Sequence, residues 1–267
     1  MGTAQVQGEL WGAQASDWAR LQEPAWRPVF EAALDRAGVA PGCRLLDVGC
    51  GAGGALAIAR ERGASVSGLD ASENLVAVAR ERLPGAPIEI GEMEALPFPD
   101  ASFDIVTGIN AFQFAGNLVQ ALREARRVCR PGGAVLMLTW GRREDCQLMS
   151  VTMAPVLALL PPPPAPAPGA RTPGPMLDSG AAEAAMRDAR LDVVDGGEFD
   201  AELVFPDEPT AIRALLSAGV TVRAVRVAGE DRVVAAIRGT LPQVARADGS
   251  VAWRNRFRWT KAVRSDR

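Results

Sequence analysis

Leu45-Leu46-Asp47-Val48-Gly49-Cys50-Gly51-Ala52-Gly53-Gly54 reads as a buried strand that runs into a glycine turn and then a helix. The strand carries a carboxylate, Asp47, just ahead of the turn. Glycines at 49, 51 and 53 lack side chains, so a ligand can lie against bare backbone. The helix that begins at Gly54 aims its free N–H groups at that turn. This is the geometry of a site for a nucleotide-like cofactor.

The same residues satisfy the dinucleotide pattern G-x-G-x-x-G, as Gly49, Gly51 and Gly54. Asp47 argues against NAD, because a pyrophosphate would meet its negative charge. A carboxylate there suits a ligand that carries an ammonium group. Asp70 closes the next strand and can accept hydrogen bonds from a ribose diol, which fits either cofactor.

Outward from this stretch, strands and helices alternate. Strands are predicted at 43–48, 65–70, 88–90, 103–109 and 134–140, and helices at 54–62, 73–83 and 117–129. Ser72 is a natural N-cap, while Gly63 and Pro84-Gly85 are natural stops. Such alternation predicts an α/β fold with a mostly parallel sheet and right-handed crossovers. Residues 1–37 read as an N-terminal helical cap and 38–140 as the cofactor-binding core. Residues 141–267 complete the sheet and add cap helices within 207–245. That last part is expected to hold a helix at 144–160, a Pro-rich loop at 161–175, a helix at 179–190, a strand at 191–205 and two helices at 209–218 and 231–245. It closes on a strand at 251–263, where Val251, Trp253, Phe257 and Trp259 alternate with Arg254, Arg256 and Arg258. That pattern reads as a half-buried edge strand whose arginine face meets solvent rather than nucleic acid.

Composition narrows the chemistry. The 267 residues are 48% hydrophobic with a formal net charge of -3, so nucleic acid and anionic membrane are not expected partners. The tract 151–170 is broken by Pro155 and Pro161–Pro164 and cannot form a membrane helix. The first residues show neither a basic region nor an apolar run, so no targeting signal is read there. Four cysteines lack C-x-x-C spacing, which points to reduced thiols in a cytoplasmic protein and to no metal site. The chain has no histidine and no tyrosine. Acid–base work therefore falls to Asp, Glu, Lys, Cys, water or the substrate, and the Ser-His-Asp triad is excluded. Chemistry that mainly needs positioning fits such a chain.

Four segments in order resemble the class I S-adenosylmethionine-dependent methyltransferases, and among them the small-molecule branch of ubiquinone/menaquinone type (methyltransferase type 11-like). They are Asp47-Val48-Gly49-Cys50-Gly51-Ala52-Gly53, then Gly68-Leu69-Asp70-Ala71-Ser72, then Gly91-Glu92-Met93-Glu94-Ala95-Leu96-Pro97-Phe98-Pro99-Asp100 with Ser102-Phe103-Asp104, and Arg127-Val128-Cys129-Arg130-Pro131-Gly132-Gly133. The likeness covers roughly residues 40 to 140 and fades beyond Trp140. It implies a Rossmann-like, seven-stranded, mostly parallel sheet. It also implies S-adenosylmethionine as cofactor, with S-adenosylhomocysteine as product.

The resemblance assigns roles. Asp47 would face the methionine ammonium, and Gly49, Cys50, Gly51 and Gly53 would form the cofactor turn. Asp70 would bind the ribose hydroxyls, Ala71 the adenine, and Glu92 and Met93 the adenine edge. Asn110 would lie near the methionine portion. Many members carry histidine where this chain has Gln113, which can orient an acceptor but not take its proton. If a base is used, Asp145 or Glu144 is the nearest source after strand five. Trp11, Trp18, Phe112 and Phe114 would line a pocket for an aromatic or hydrophobic metabolite, with C-, O- or N-methylation open. A bacterial natural-product role and a homodimer are compatible. The rival readings are a S-adenosylmethionine-binding protein without transferase activity, regulatory or cyclising, and a NAD-dependent oxidoreductase.

Overall fold

The apolar stretches between glycine and proline breaks pair into one sheet in the computed structural model, which describes residues 2–162 and 180–265. Its strands are β1 (Arg44–Val48), β2 (Ser65–Asp70), β3 (Ile88–Ile90), β4 (Phe103–Ile109), β5 (Cys129–Trp140), β6 (Asp192–Phe205) and β7 (Val251–Val263). Their order is β3-β2-β1-β4-β5-β7-β6. The first five run parallel, and β7 is antiparallel to both neighbours. Helices pack on both faces, so β1 and β4 bury nearly every residue, as strands of a two-sided sheet must. This is the mostly parallel sheet the alternation implied, in the Rossmann-like, seven-stranded form the resemblance implied.

The helices start and stop for local reasons. Ser72 Oγ accepts from the Leu75 N–H at 3.2 Å and caps Glu73–Arg82. Asn117 caps Leu118–Val128 in the same way, through the Gln120 N–H. Gly63, with φ of 85°, lets the chain leave Gly54–Glu61.

The second half differs from expectation in several places. The strand 251–263 is not an edge: β7 lies between β5 and β6, and β6 is the outer strand. Its arginine face is paired rather than open, with Arg254 on Glu202, Arg256 on Asp200 and Arg258 on Glu198 across the ladder. One strand's alternation cannot reveal which charges stand opposite it. Three helices, not two, fill the region after β6: Glu208–Leu216, Gly219–Ala228 and Glu230–Arg238. The helix expected over 144–160 is broken into a short turn at Arg143–Asp145, a wide turn at Leu148–Thr152 and Met153–Leu157. β5 starts at Cys129 rather than Ala134, because Pro131-Gly132-Gly133 is drawn into the ladder by backbone bonds to Arg264. Most of the Pro-rich loop expected at 161–175 lies outside the described residues. No helix among the described residues is long and apolar enough to cross a membrane.

The core has two sides. On one, Trp26, Trp140, Phe199 and Phe257 form a chain of ring contacts, with Trp140 and Phe257 stacked at 4.9 Å. On the other, Phe103, Phe112 and the helix Leu118–Val128 pack over β4 and β5. The segment from Ala4 to Ala37 is helical with interruptions and lies across the carboxyl ends of the strands, against Ala71, Ser72 and Phe114.

Candidate functional site

A parallel sheet leaves a crevice at the carboxyl ends of its strands. Here that crevice is a cavity lined from four successive strand ends: Asp47 and the glycine turn after β1, Asp70 and Ala71 after β2, Gly91 to Met93 after β3, and Asn110 after β4. All the cofactor residues expected from the sequence line it except Gly53. The N-terminal segment closes it with Trp11, Trp18, Glu23, Trp26 and Phe30.

Asp47 is 3% exposed. Its Oδ1 accepts from the Thr107 hydroxyl at 2.7 Å, and no donor among the described residues reaches Oδ2. Burial raises its pKa to about 7; the Thr107 bond opposes the rise, and the charges of Asp70 and Glu23 add to it. Asp70 accepts from the Gly51 N–H at 2.9 Å and the Ser72 N–H at 2.8 Å. Burial raises its pKa and those backbone bonds hold it back. Asp70 thus fastens the glycine turn to the end of β2, which the sequence reading did not anticipate. Burial also lifts the Cys50 thiol well above its usual range, which disfavours the thiolate.

The glycines answer to the protein as well as to a ligand. All three have positive φ, from 57° to 81°. A side chain at Gly49 would fall 2.4 Å from the Ala111 Cβ. At Gly51 it would meet Glu23 and Trp18 at 3.2 Å, and at Gly53 it would meet Ala79 of the helix Glu73–Arg82 and Leu83 just past its end. Gly53 therefore serves helix packing and faces away from the cavity.

Other expected residues are placed as follows. Trp11 meets Trp18 edge-on at 5.0 Å and Phe114 at 5.6 Å, and all three line the cavity. Phe112 does not: it is fully buried against Gly108 in the opposite core, because the short 3-10 turn Phe112–Phe114 points alternate rings to opposite sides. Gln113 is 2% exposed and off the cavity; its Nε2 donates to Asn110 Oδ1. Gln113 thus orients Asn110, which takes the left-handed φ of 55° that asparagine tolerates. Glu92 lines the cavity while its Oε2 accepts from the Ala4 N–H at 3.0 Å. Asp145 and Glu144 are exposed on the turn after β5, away from the cavity, with Asp145 3.8 Å from Arg256. No general base is supplied from there.

The sequence reading missed Glu23, Thr107, Trp26 and Phe30. Glu23 is 4% exposed and its Oε1 accepts from the Ala52 N–H at 2.9 Å. Its other oxygen pairs with Arg82. Burial raises its pKa, and Arg82 with the Gly54 and Ala52 N–H groups opposes this. The partner lies far along the chain, so no local pattern marks this glutamate. Among the described residues no cluster of His, Cys, Asp and Glu could hold a metal ion.

Residues 46–137 match the family model described as a methyltransferase domain. A malonyl-[acyl-carrier protein] O-methyltransferase of Serratia marcescens is 40% identical over 113 residues, 42% of this chain and 44% of that protein. The ubiquinone/menaquinone biosynthesis C-methyltransferase UbiE of Geobacter sulfurreducens is 42% identical over 106 residues, 36% of this chain and 41% of that protein. The chain thus spans less than half the length of these relatives. The geranyl diphosphate C-methyltransferase of Streptomyces coelicolor, crystallised with S-adenosyl-L-homocysteine, superposes with a TM-score of 0.51 at 16% identity, covering 89% of this chain and 75% of that one.

Proposed function

We propose, from the premise that residues 46–137 are a class I methyltransferase domain, that this chain transfers a methyl group from S-adenosylmethionine to a small, uncharged, aromatic or hydrophobic acceptor. One observation carries the reading. A single cavity gathers Asp47, Asp70, Glu92, Met93 and Asn110 from the ends of four successive parallel strands. The donor sets fit such a ligand: the oxygen of Asp47 that lacks a donor for an ammonium, Asp70 for a ribose diol, and Glu92 with Met93 for an adenine.

A sulfonium supplies an activated methyl group with a neutral leaving group, so the protein need not provide a metal or an acid. This chain's residues then bind, align and exclude water. Asp47 holds the cationic end, Gln113 fixes the Asn110 amide, and Trp11, Trp18 and Phe114 wall the apolar side against solvent. The acceptor supplies its own nucleophile. An electron-rich ring carbon or a neutral nitrogen suits a site without histidine, the proton released after transfer passing to water. The lining residues include four carboxylates and no lysine or arginine among those described, which favours a neutral acceptor over a carboxylate. We place the enzyme in the cytoplasm, as a tailoring activity on a bacterial metabolite.

Incubation with methyl-labelled S-adenosylmethionine and a panel of planar, hydrophobic acceptors tests this. Label in a neutral aromatic product is the expected result. Binding of S-adenosylhomocysteine without transfer to any acceptor would favour a binding protein instead. Tight NAD binding with no response to S-adenosylhomocysteine would overturn the assignment.

A further inference from the structure

The glycine turn satisfies the dinucleotide pattern, yet its helix N-terminus is already taken. In that pattern the pyrophosphate rests on the first N–H groups of the helix, where the dipole and the unpaired donors attract an anion. Here the helix is Gly54–Glu61, and a protein carboxylate stands at that end. Glu23 Oε1 accepts from the Ala52 N–H at 2.9 Å. Its Cδ lies 3.1 Å from where a Gly54 side chain would begin. Arg82 binds the other oxygen and donates to the Ala19 carbonyl at 3.2 Å, which ties the N-terminal segment to the helix Glu73–Arg82.

We infer that Glu23 is a specificity-determining residue of the donor site: a resident anion on the helix N-terminus that turns phosphate-bearing cofactors away and leaves the turn to a cationic one. This rests on the methyl-donor reading above. An arriving pyrophosphate would find its N–H donors used and its guanidinium engaged. It would also face Asp47 and Asp70 across the same cavity. A cationic ligand meets the same charges as attraction. Gly51 and Gly54 are glycines partly because Glu23 needs the room: side chains there would fall within 3.2 Å of its carboxylate.

ADP and S-adenosylhomocysteine share the adenosine and differ in the tail, so their affinity ratio isolates the effect. Calorimetry on the full chain should show S-adenosylhomocysteine binding and ADP binding at least about a hundredfold more weakly, as expected for a phosphate brought against a buried carboxylate. Glu23→Ala frees the Ala52 N–H and Arg82. The ratio should then move toward ADP by at least about tenfold, the scale of one new charge-assisted hydrogen bond. Glu23→Gln keeps an oxygen for the Ala52 N–H and removes the charge, so it should move the ratio the same way by a smaller amount. A ratio unchanged in either folded variant, or wild-type ADP affinity equal to that for S-adenosylhomocysteine, overturns the inference about Glu23. If the wild type fails to bind S-adenosylhomocysteine at all, the methyl-donor reading falls instead.

Discussion

Lowering the pH should weaken donor binding through Asp47, and the slope can be worked out. Asp47 is buried with a single hydroxyl partner, Thr107, and its pKa in the ligand-free protein is raised to about 7. A cationic donor binds the charged carboxylate. Near pH 8 that form holds about nine molecules in ten, and near pH 6 about one in ten, so apparent affinity should fall about tenfold between them. Below that, each further pH unit costs roughly another tenfold until other carboxylates titrate. Binding at pH 6 should release close to one proton, because the bound cation pulls the pKa back down. Calorimetry with S-adenosylhomocysteine in buffers of different ionisation enthalpy measures both quantities. Asp47→Asn should bind weakly at every pH and lose the slope. The effect on stability has the opposite sign. A carboxyl whose folded pKa is raised contributes stability that is fully present below its unfolded value and lost as pH rises through about 7. The empty Asp47→Asn protein should therefore melt higher than wild type at pH 8. An affinity that stays flat from pH 8 to pH 6 would refute the placement of a cation beside Asp47.

Phe112→Ala should cost about 3–5 kcal/mol of stability, as for a fully buried phenyl ring, while leaving acceptor selectivity unaltered; a denaturant titration and an acceptor panel check the two halves. Gly49→Ala should destabilise by at least about 1 kcal/mol, since its Cβ would fall 2.4 Å from Ala111 at a φ of 75°, and the melting temperature reports it. Asp70→Ala should lose donor affinity and also loosen the glycine turn, leaving the Gly51 and Ser72 N–H groups without their carboxylate; faster amide exchange at those two positions would show it. Gln113→Ala should lower kcat with little effect on donor affinity, because it frees the Asn110 amide without touching the cavity; steady-state kinetics with an acceptor from the panel would decide.

The first half of the fold was legible because its signals are local. Apolar runs, the cap at Ser72, and stops at Gly63 and Gly85 each act within a few residues. The gathering of Asp47, Asp70, Glu92 and Asn110 at one cavity was legible for the same reason: each sits at or just past the carboxyl end of a strand, and parallel strands bring those ends together. What could not be read depends on partners distant in sequence. Glu23 looks like any helical glutamate until Arg82 and Ala52 close around it. The arginines of β7 look like an open edge until the acids of β6 face them. Phe112 and Phe114 are neighbours of one chemistry, and only the backbone turn decides that one ring enters the core and the other the cavity.

Two buried carboxylates, Asp47 and Glu23, and a half-buried one, Asp70, surround one cavity and look like a single electrostatic liability, yet the protein treats them differently. Glu23 has a guanidinium on one oxygen and a backbone donor on the other. Asp70 draws its bonds from two backbone N–H groups of the turns it joins. Asp47 has one hydroxyl and no cation among the described residues. A buried charge left this short of partners destabilises the empty fold, and it persists where a ligand supplies what the chain does not. Glu23 and Asp70 are thus compensated inside the protein and shape the turn. Asp47, by contrast, keeps an oxygen without a donor among the described residues, which is why we propose it for the donor's positive end. The asymmetry orders their variants: loss of Asp47 should raise stability and remove binding, whereas loss of either of the other two should lower both.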